Sequence, residues 1–147
     1  MSDGLLDTNL FIHAMTTDEH SLECQTFLAA LARGDRQARL DITVLHELTY
    51  AVPRYRKQME RIELGEYLRA VIEWPGVTGD KSLLLDTVER WTFTPGLGLV
   101  DAYLAARANI EGCPVYSKNV RELKGQGVTV PDPLMLASEN GQRTGEM

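Results

Sequence analysis

Short apolar runs alternate with longer stretches of helical period along this chain. Gly4-Leu5-Leu6 drives into Asp7 and predicts a short buried strand that ends in a carboxylate. Thr8 to Ala14 predicts a short helix. Asp18 is placed to cap a helix running to about Arg33, with Cys24, Phe27, Leu28 and Leu31 on one face and Gly34-Asp35 closing it. Ala38 to Ile42 alternates and predicts a second strand. Thr43 then caps a helix carrying Val44, Leu45, Leu48 and Val52, which Pro53 limits or kinks. Gln58 to about Trp74 sets Leu64, Leu68, Val71 and Ile72 on one stripe, and Pro75-Gly76 stops it. Val77-Thr78 predicts a short strand. Asp80 caps a helix with Leu84, Val88 and Trp91, and Thr94 to Gly98 is a loop by composition. A further helix runs from about Leu99 to Glu111 and ends at Gly112. Val115-Tyr116-Ser117 and Val128-Thr129-Val130 predict two last strands around Lys118 to Leu123.

Strands that alternate with amphipathic helices imply an α/β protein, a parallel sheet with helices on both faces. Ligands of such sheets bind beyond the carboxyl ends of the strands. Asp7 and Ser117 both fall at such ends. The chain has 147 residues, 44% of them hydrophobic, which suits one domain. We place that domain at residues 1–137 and a polar, flexible tail at 138–147. Cys24 and Cys113 lie far apart without metal-type spacing, so free, buried thiols in a reducing compartment are expected. No apolar run approaches a membrane span and no signal-peptide pattern is present, so a cytoplasmic protein is expected. The net charge is −6, from 15 basic and 21 acidic residues, which argues against gripping nucleic acid by bulk positive potential. A divalent ion held by acids would reverse the local sign.

Three acids sit beside apolar sequence. Asp7 ends the first strand. Glu47 lies in Val44-Leu45-His46-Glu47-Leu48, and Asp101 in Leu99-Val100-Asp101-Ala102. They are too far apart in sequence for local contact, but suited to elements converging on one sheet edge. Buried carboxylates grouped without a cation repel one another, and magnesium or manganese resolves that conflict. Each acid also has a bland role, since Asp7 can cap the next helix and Asp101 and Glu47 can complement a helix N-terminus.

Taken together, Leu5-Leu6-Asp7-Thr8-Asn9, His46-Glu47-Leu48, Val100 to Ala106, Tyr116 to Leu123 and Gly127 to Pro131 resemble the PIN domain, in the flavour of the VapC-type toxin ribonucleases. The likeness covers about residues 4–134. It implies a three-layer α/β/α sandwich on a four- or five-stranded parallel sheet. It further implies that Asp7, Glu47 and Asp101 hold Mg2+ or Mn2+, with Asn9 and Ser117 orienting the carboxylates. The implied activity is endonucleolytic cleavage of RNA. The implied partners are a small antitoxin protein, as in a type II toxin–antitoxin pair, and a second copy in a homodimer.

One position departs from that pattern. Many PIN domains have a fourth acid where this chain has Asn119, an amide that coordinates or hydrogen-bonds but adds no charge. Asn119 stays in the candidate catalytic set, and Glu122, one turn on, is a candidate for the missing charge or a solvated helix residue. The alternative reading is a catalytically weak module that binds RNA or a partner protein. A receiver-like phosphatase is disfavoured because Thr8 and Asn9, not acids, follow Asp7. His46 reads as structural or rim, and His13 and His20 carry no constellation. Tyr50, Arg54, Tyr55, Arg56 and Lys57 form the densest basic and aromatic segment, with a phosphate-and-base contact or a solvated helix end as its two readings. Lys118 and Arg121 are placed to touch a scissile strand.

Overall fold

The structure, a computed structural model, describes residues 4–131. The tail expected at 138–147 and the end of the expected domain lie outside the described residues. In chain order the elements are β1 (Gly4–Leu5), α1 (Thr8–Met15), α2 (Ser21–Arg33), β2 (Ala38–Arg39), α3 (Ile42–Tyr55), α4 (Arg61–Glu73), β3 (Val77–Thr78), α5 (Lys81–Phe93), α6 (Leu99–Glu111) and α7 (Val120–Lys124).

The expected sandwich on four or five strands is overturned. The described residues are mostly helical, and their sheet has three parallel strands of two residues each, in the order β1-β2-β3. Gly4 pairs with Ala38, and Ala38 with Val77. The expected fourth and fifth strands contribute a single backbone bond, from Val115 N to Thr129 O at 2.9 Å. Pro114 and Pro131 flank these segments and have no N–H to lengthen a ladder. Val115, Val128 and Val130 instead pack on Ala105, Ala108 and Leu123 in a small second core. The first strand is also less buried than expected. Gly4 and Leu5 are exposed, Leu5 at 65%, and only Leu6 behind them enters the core. Cys24 is buried as expected, but Cys113 is exposed.

The helices follow their sequence signals closely. Asp7 caps α1, its side chain accepting from Thr8 N at 2.8 Å. Asp80 caps α5 through Leu83 N, and left-handed Gly34 and Gly112 close α2 and α6. Two starts are shifted. Asp41 rather than Thr43 caps α3, accepting from Thr43 N at 3.0 Å, so the helix takes Ile42 from the expected strand. His20 precedes α2, while Asp18 tightens the turn before it by accepting from His20 N at 2.7 Å.

The main core lies where α1, α3, α4, α5 and α6 meet, around Phe11, Leu45, Leu48, Val52, Leu68 and Ile72. Each such side chain contributes about 1.5–3 kcal/mol by burial. Helix α3 packs on both α1 and α6, and α5 lies between α4 and α6. Helices α4 and α5 touch closely at Gly65, where a Cβ would stand 2.1 Å from Thr92 Oγ1 and 2.6 Å from its Cγ2. No helix among the described residues is long and apolar enough to cross a membrane.

Gly65→Ala is therefore expected to destabilise the protein by about 1–3 kcal/mol through overpacking, despite the better helix propensity of alanine. Urea denaturation measures this, and an unchanged or raised midpoint would show that the two helices separate freely. A second expectation concerns acid. The His13 ring at 2.8 Å, with the N–H of His20, holds the Asp18 carboxyl at about 2, below its ordinary 3.8. A carboxyl lowered on folding stabilises above its unfolded pKa and loses that contribution as pH falls through the folded one. Asp18→Asn should thus lower Tm at neutral pH, with the gap to the parent closing between about pH 4 and 2. A gap of constant size across that range contradicts this assignment.

Candidate functional site

Each of the three acids stands near the N-terminal end of a helix. Asp7 is the cap of α1, Glu47 lies in the second turn of α3 and Asp101 in the first turn of α6. The positive end of a helix dipole favours a carboxylate in the first turn, and backbone N–H groups there favour phosphate. Because α3 packs on both α1 and α6, the three helices that carry the acids are neighbours. The acids themselves are more open to water than expected. Asp7 and Glu47 are exposed and Asp101 is half-buried. Their carboxylates therefore carry little of the desolvation cost that buried ones would.

One long-range junction joins two of the candidate residues. Asn119 Nδ2 donates to Asp101 Oδ2 at 2.9 Å, and Asn119 N donates to Ser117 Oγ at 3.0 Å. The Ser117–Asn119 turn is thereby fastened to the start of α6. Asn119 precedes α7 without capping it by its side chain, since the amide is turned to Asp101 instead. The other supporting residues are not drawn in this way. Asn9 is exposed on α1 and Glu122 is exposed on α7, and neither hydrogen-bonds to the three acids among the described residues.

Two buried polar atoms without a hydrogen-bond partner lie next to the acids in sequence. Thr8 Oγ1 follows Asp7, and His46 Nδ1 precedes Glu47. Groups of this kind ordinarily find a partner, but consecutive helix residues face different ways, so neither atom is thereby turned to a carboxylate. Among the described residues no three His, Cys, Asp or Glu side chains are grouped tightly enough to hold a metal ion. The donors at hand, carboxylate, amide and hydroxyl, are all oxygen. They suit magnesium or manganese, which take one or two carboxylates and keep several waters.

No family model, curated protein or solved structure matches the chain. The likeness to PIN domains accordingly rests on the motifs quoted from the sequence.

Arg61 is a positioning residue that the sequence pattern did not reveal. Its Nε donates to Trp91 O at 2.7 Å, and its Nη2 donates to Thr94 O at 3.2 Å and Leu97 O at 2.5 Å. The guanidinium lies 4.2 Å from the Trp91 ring centroid, and burial lowers its pKa from the usual arginine range. One cation at the start of α4 thus clamps the loop that leads into α6 and Asp101. An arginine with carbonyl rather than carboxylate partners leaves no charge pattern in the sequence by which to find it.

Replacing Asn119 by aspartate would set a second carboxylate against Asp101 Oδ2, where 2.9 Å now separates amide and acid. Like charges at this distance repel unless a proton or cation intervenes. Asn119→Asp is expected to lower Tm at neutral pH in EDTA, and millimolar Mn2+ should raise its Tm more than the parent's. Equal manganese responses in the two proteins would show that this corner does not accept a cation.

Proposed function

We propose that the chain is a magnesium- or manganese-dependent endoribonuclease, the toxin of a type II toxin–antitoxin pair acting in the cytoplasm. The observation that carries the reading is the Asn119–Asp101 hydrogen bond. It joins the third and fourth motifs on which the PIN resemblance stands, at the N-terminus of a helix whose neighbour carries Glu47.

A bound divalent ion supplies Lewis acidity at the phosphodiester and lowers the pKa of attacking water. The PIN resemblance assigns that ion to Asp101, Asp7 and Glu47, which stand on three neighbouring helices and, among the described residues, are not grouped closely enough to hold it as they stand. Asn119 donates to one oxygen of Asp101 and so fixes the rotation of that carboxylate, leaving Oδ1 for a cation or a water proton. Ser117 Oγ in turn holds the backbone of Asn119. The N–H groups opening α6, which no side chain caps, favour a negative phosphate. A small antitoxin and a homodimer are the partners that go with this reading.

A module that binds RNA or a protein partner and cuts weakly is the second reading. It is favoured by Asn119 in place of an acid and by the absence of a three-acid group among the described residues. Calorimetric titration with Mn2+ separates the two, because a chain that takes up no divalent ion at millimolar levels belongs to the second.

Asp7→Asn is the sharpest test of cleavage. Asparagine caps a helix about as well as aspartate, so α1 keeps its start while the charge is lost. Manganese-dependent cleavage of single-stranded RNA should fall beyond the roughly 10–100-fold that loss of an outer-shell partner costs, with the circular dichroism spectrum unchanged. Undiminished cleavage by the variant would remove the proposal.

A further inference from the structure

Helix α3 carries a second chemistry along its exposed side. Glu47, Tyr50 and Arg54 follow one another at i, i+3 and i+7, and all three are exposed. Tyr50 is 62% exposed, and the next exposed ring, Tyr55 at 48%, ends the helix. Beyond Arg54 come Arg56 and Lys57, so three cations fall within four residues on a chain of net charge −6. With Tyr55 and Met59 they line an open hollow of about 610 Å³ between the end of α3 and the start of α4.

The segment is held rather than loose. Arg56 Nη2 donates to Met15 O at 2.6 Å, tying the end of α3 to the end of α1. Glu63, the acid in the hollow, accepts from Glu60 N at 3.2 Å. Among the described residues no carboxylate pairs with Arg54, Arg56 or Lys57, since all six ion pairs lie elsewhere. The His46 ring packs edge-on against Tyr50 with centroids 5.1 Å apart, which limits the swing of an otherwise free aromatic.

We propose that this face of α3 is a docking track for single-stranded RNA, with Tyr50 stacking a base and Arg54 and Lys57 taking the flanking phosphates. Flat exposed rings interleaved with uncompensated cations are what a single strand requires, because every base offers a π-face and every linkage a charge. Tyr50 and Arg54 stand about 6 Å apart along the helix axis, so one strand reaches both. An acidic peptide would use the cations but leave the rings without stacking partners. The track runs from the basic hollow toward Glu47 and so leads a strand to the proposed acid edge. In its choice of substrate the inference rests on the ribonuclease reading, but the binding step needs no metal.

The test is fluorescence anisotropy of a labelled single-stranded oligoribonucleotide with the full chain in EDTA, where no cleavage occurs. Tyr50→Ala should weaken binding roughly tenfold, and Tyr50→Phe should retain it, because stacking rather than the hydroxyl is at work. Arg54→Gln should weaken binding and reduce the slope of log affinity against log salt by about 0.7, the value for one phosphate contact on a single strand. Both side chains are exposed, so the variants should keep the parent's circular dichroism. Equal RNA affinity of parent and the Tyr50→Ala, Arg54→Gln double variant overturns the track, as does poly-glutamate binding as tightly as RNA. If the parent never cuts RNA but binds it through Tyr50, the ribonuclease reading fails and the track stands.

Discussion

The small-residue face of α6 is the wall shared by both cores of the molecule. Leu99 and Ala102 belong to the main core with α3, α4 and α5, whereas Ala105 and Ala108, one and two turns later, belong to the second core with Val115, Leu123, Val128 and Val130. Alanine at these places lets neighbouring chain approach closely and costs no side-chain entropy. Asp101 sits on the first turn of this helix, and the turn between Val115 and Leu123 of the second core supplies Asn119. The candidate site therefore depends on α6 being buried on both counts. Arg61 reinforces the arrangement by fixing the loop through which the chain enters the helix.

The sheet plays a smaller part than the α/β pattern suggested. Three two-residue strands set the relative heights of the segments that precede α1, α3 and α5, and the packing energy lies between helices. In this arrangement a carboxylate near a helix start needs no deep sheet crevice to be presented. Asp7 and Glu47 are consequently open to solvent.

The exposed side of α3 carries Glu47 together with Tyr50 and Arg54. A protein of net negative charge repels nucleic acid at long range, so any RNA it holds must be held by local contacts. The exposed rings of Tyr50 and Tyr55 and the basic run from Arg54 to Lys57 are the local features the proposed track would use. Glu47 and Tyr50 being one turn apart places the two chemistries on one continuous surface.

The sequence by itself determined most of the helices and several of their ends, because these follow from contacts within about four residues. Asp7, Asp80, Gly34 and Gly112 act where capping rules put them, and the buried stripes of α3, α4 and α6 are those of the helical period. The order of the acids along the chain was visible too. Tertiary structure decided the rest. The strands at 115–117 and 128–130 have strand-like residues, yet prolines beside them and packing on α6 leave one backbone bond in place of a ladder. The exposure of Asp7 and Glu47, the reach of Asn119 to Asp101 and the clamp of Arg61 on the 94–97 loop all join residues distant in sequence. Local periodicity carries no information on such pairings, since they depend on which faces meet once the helices have packed.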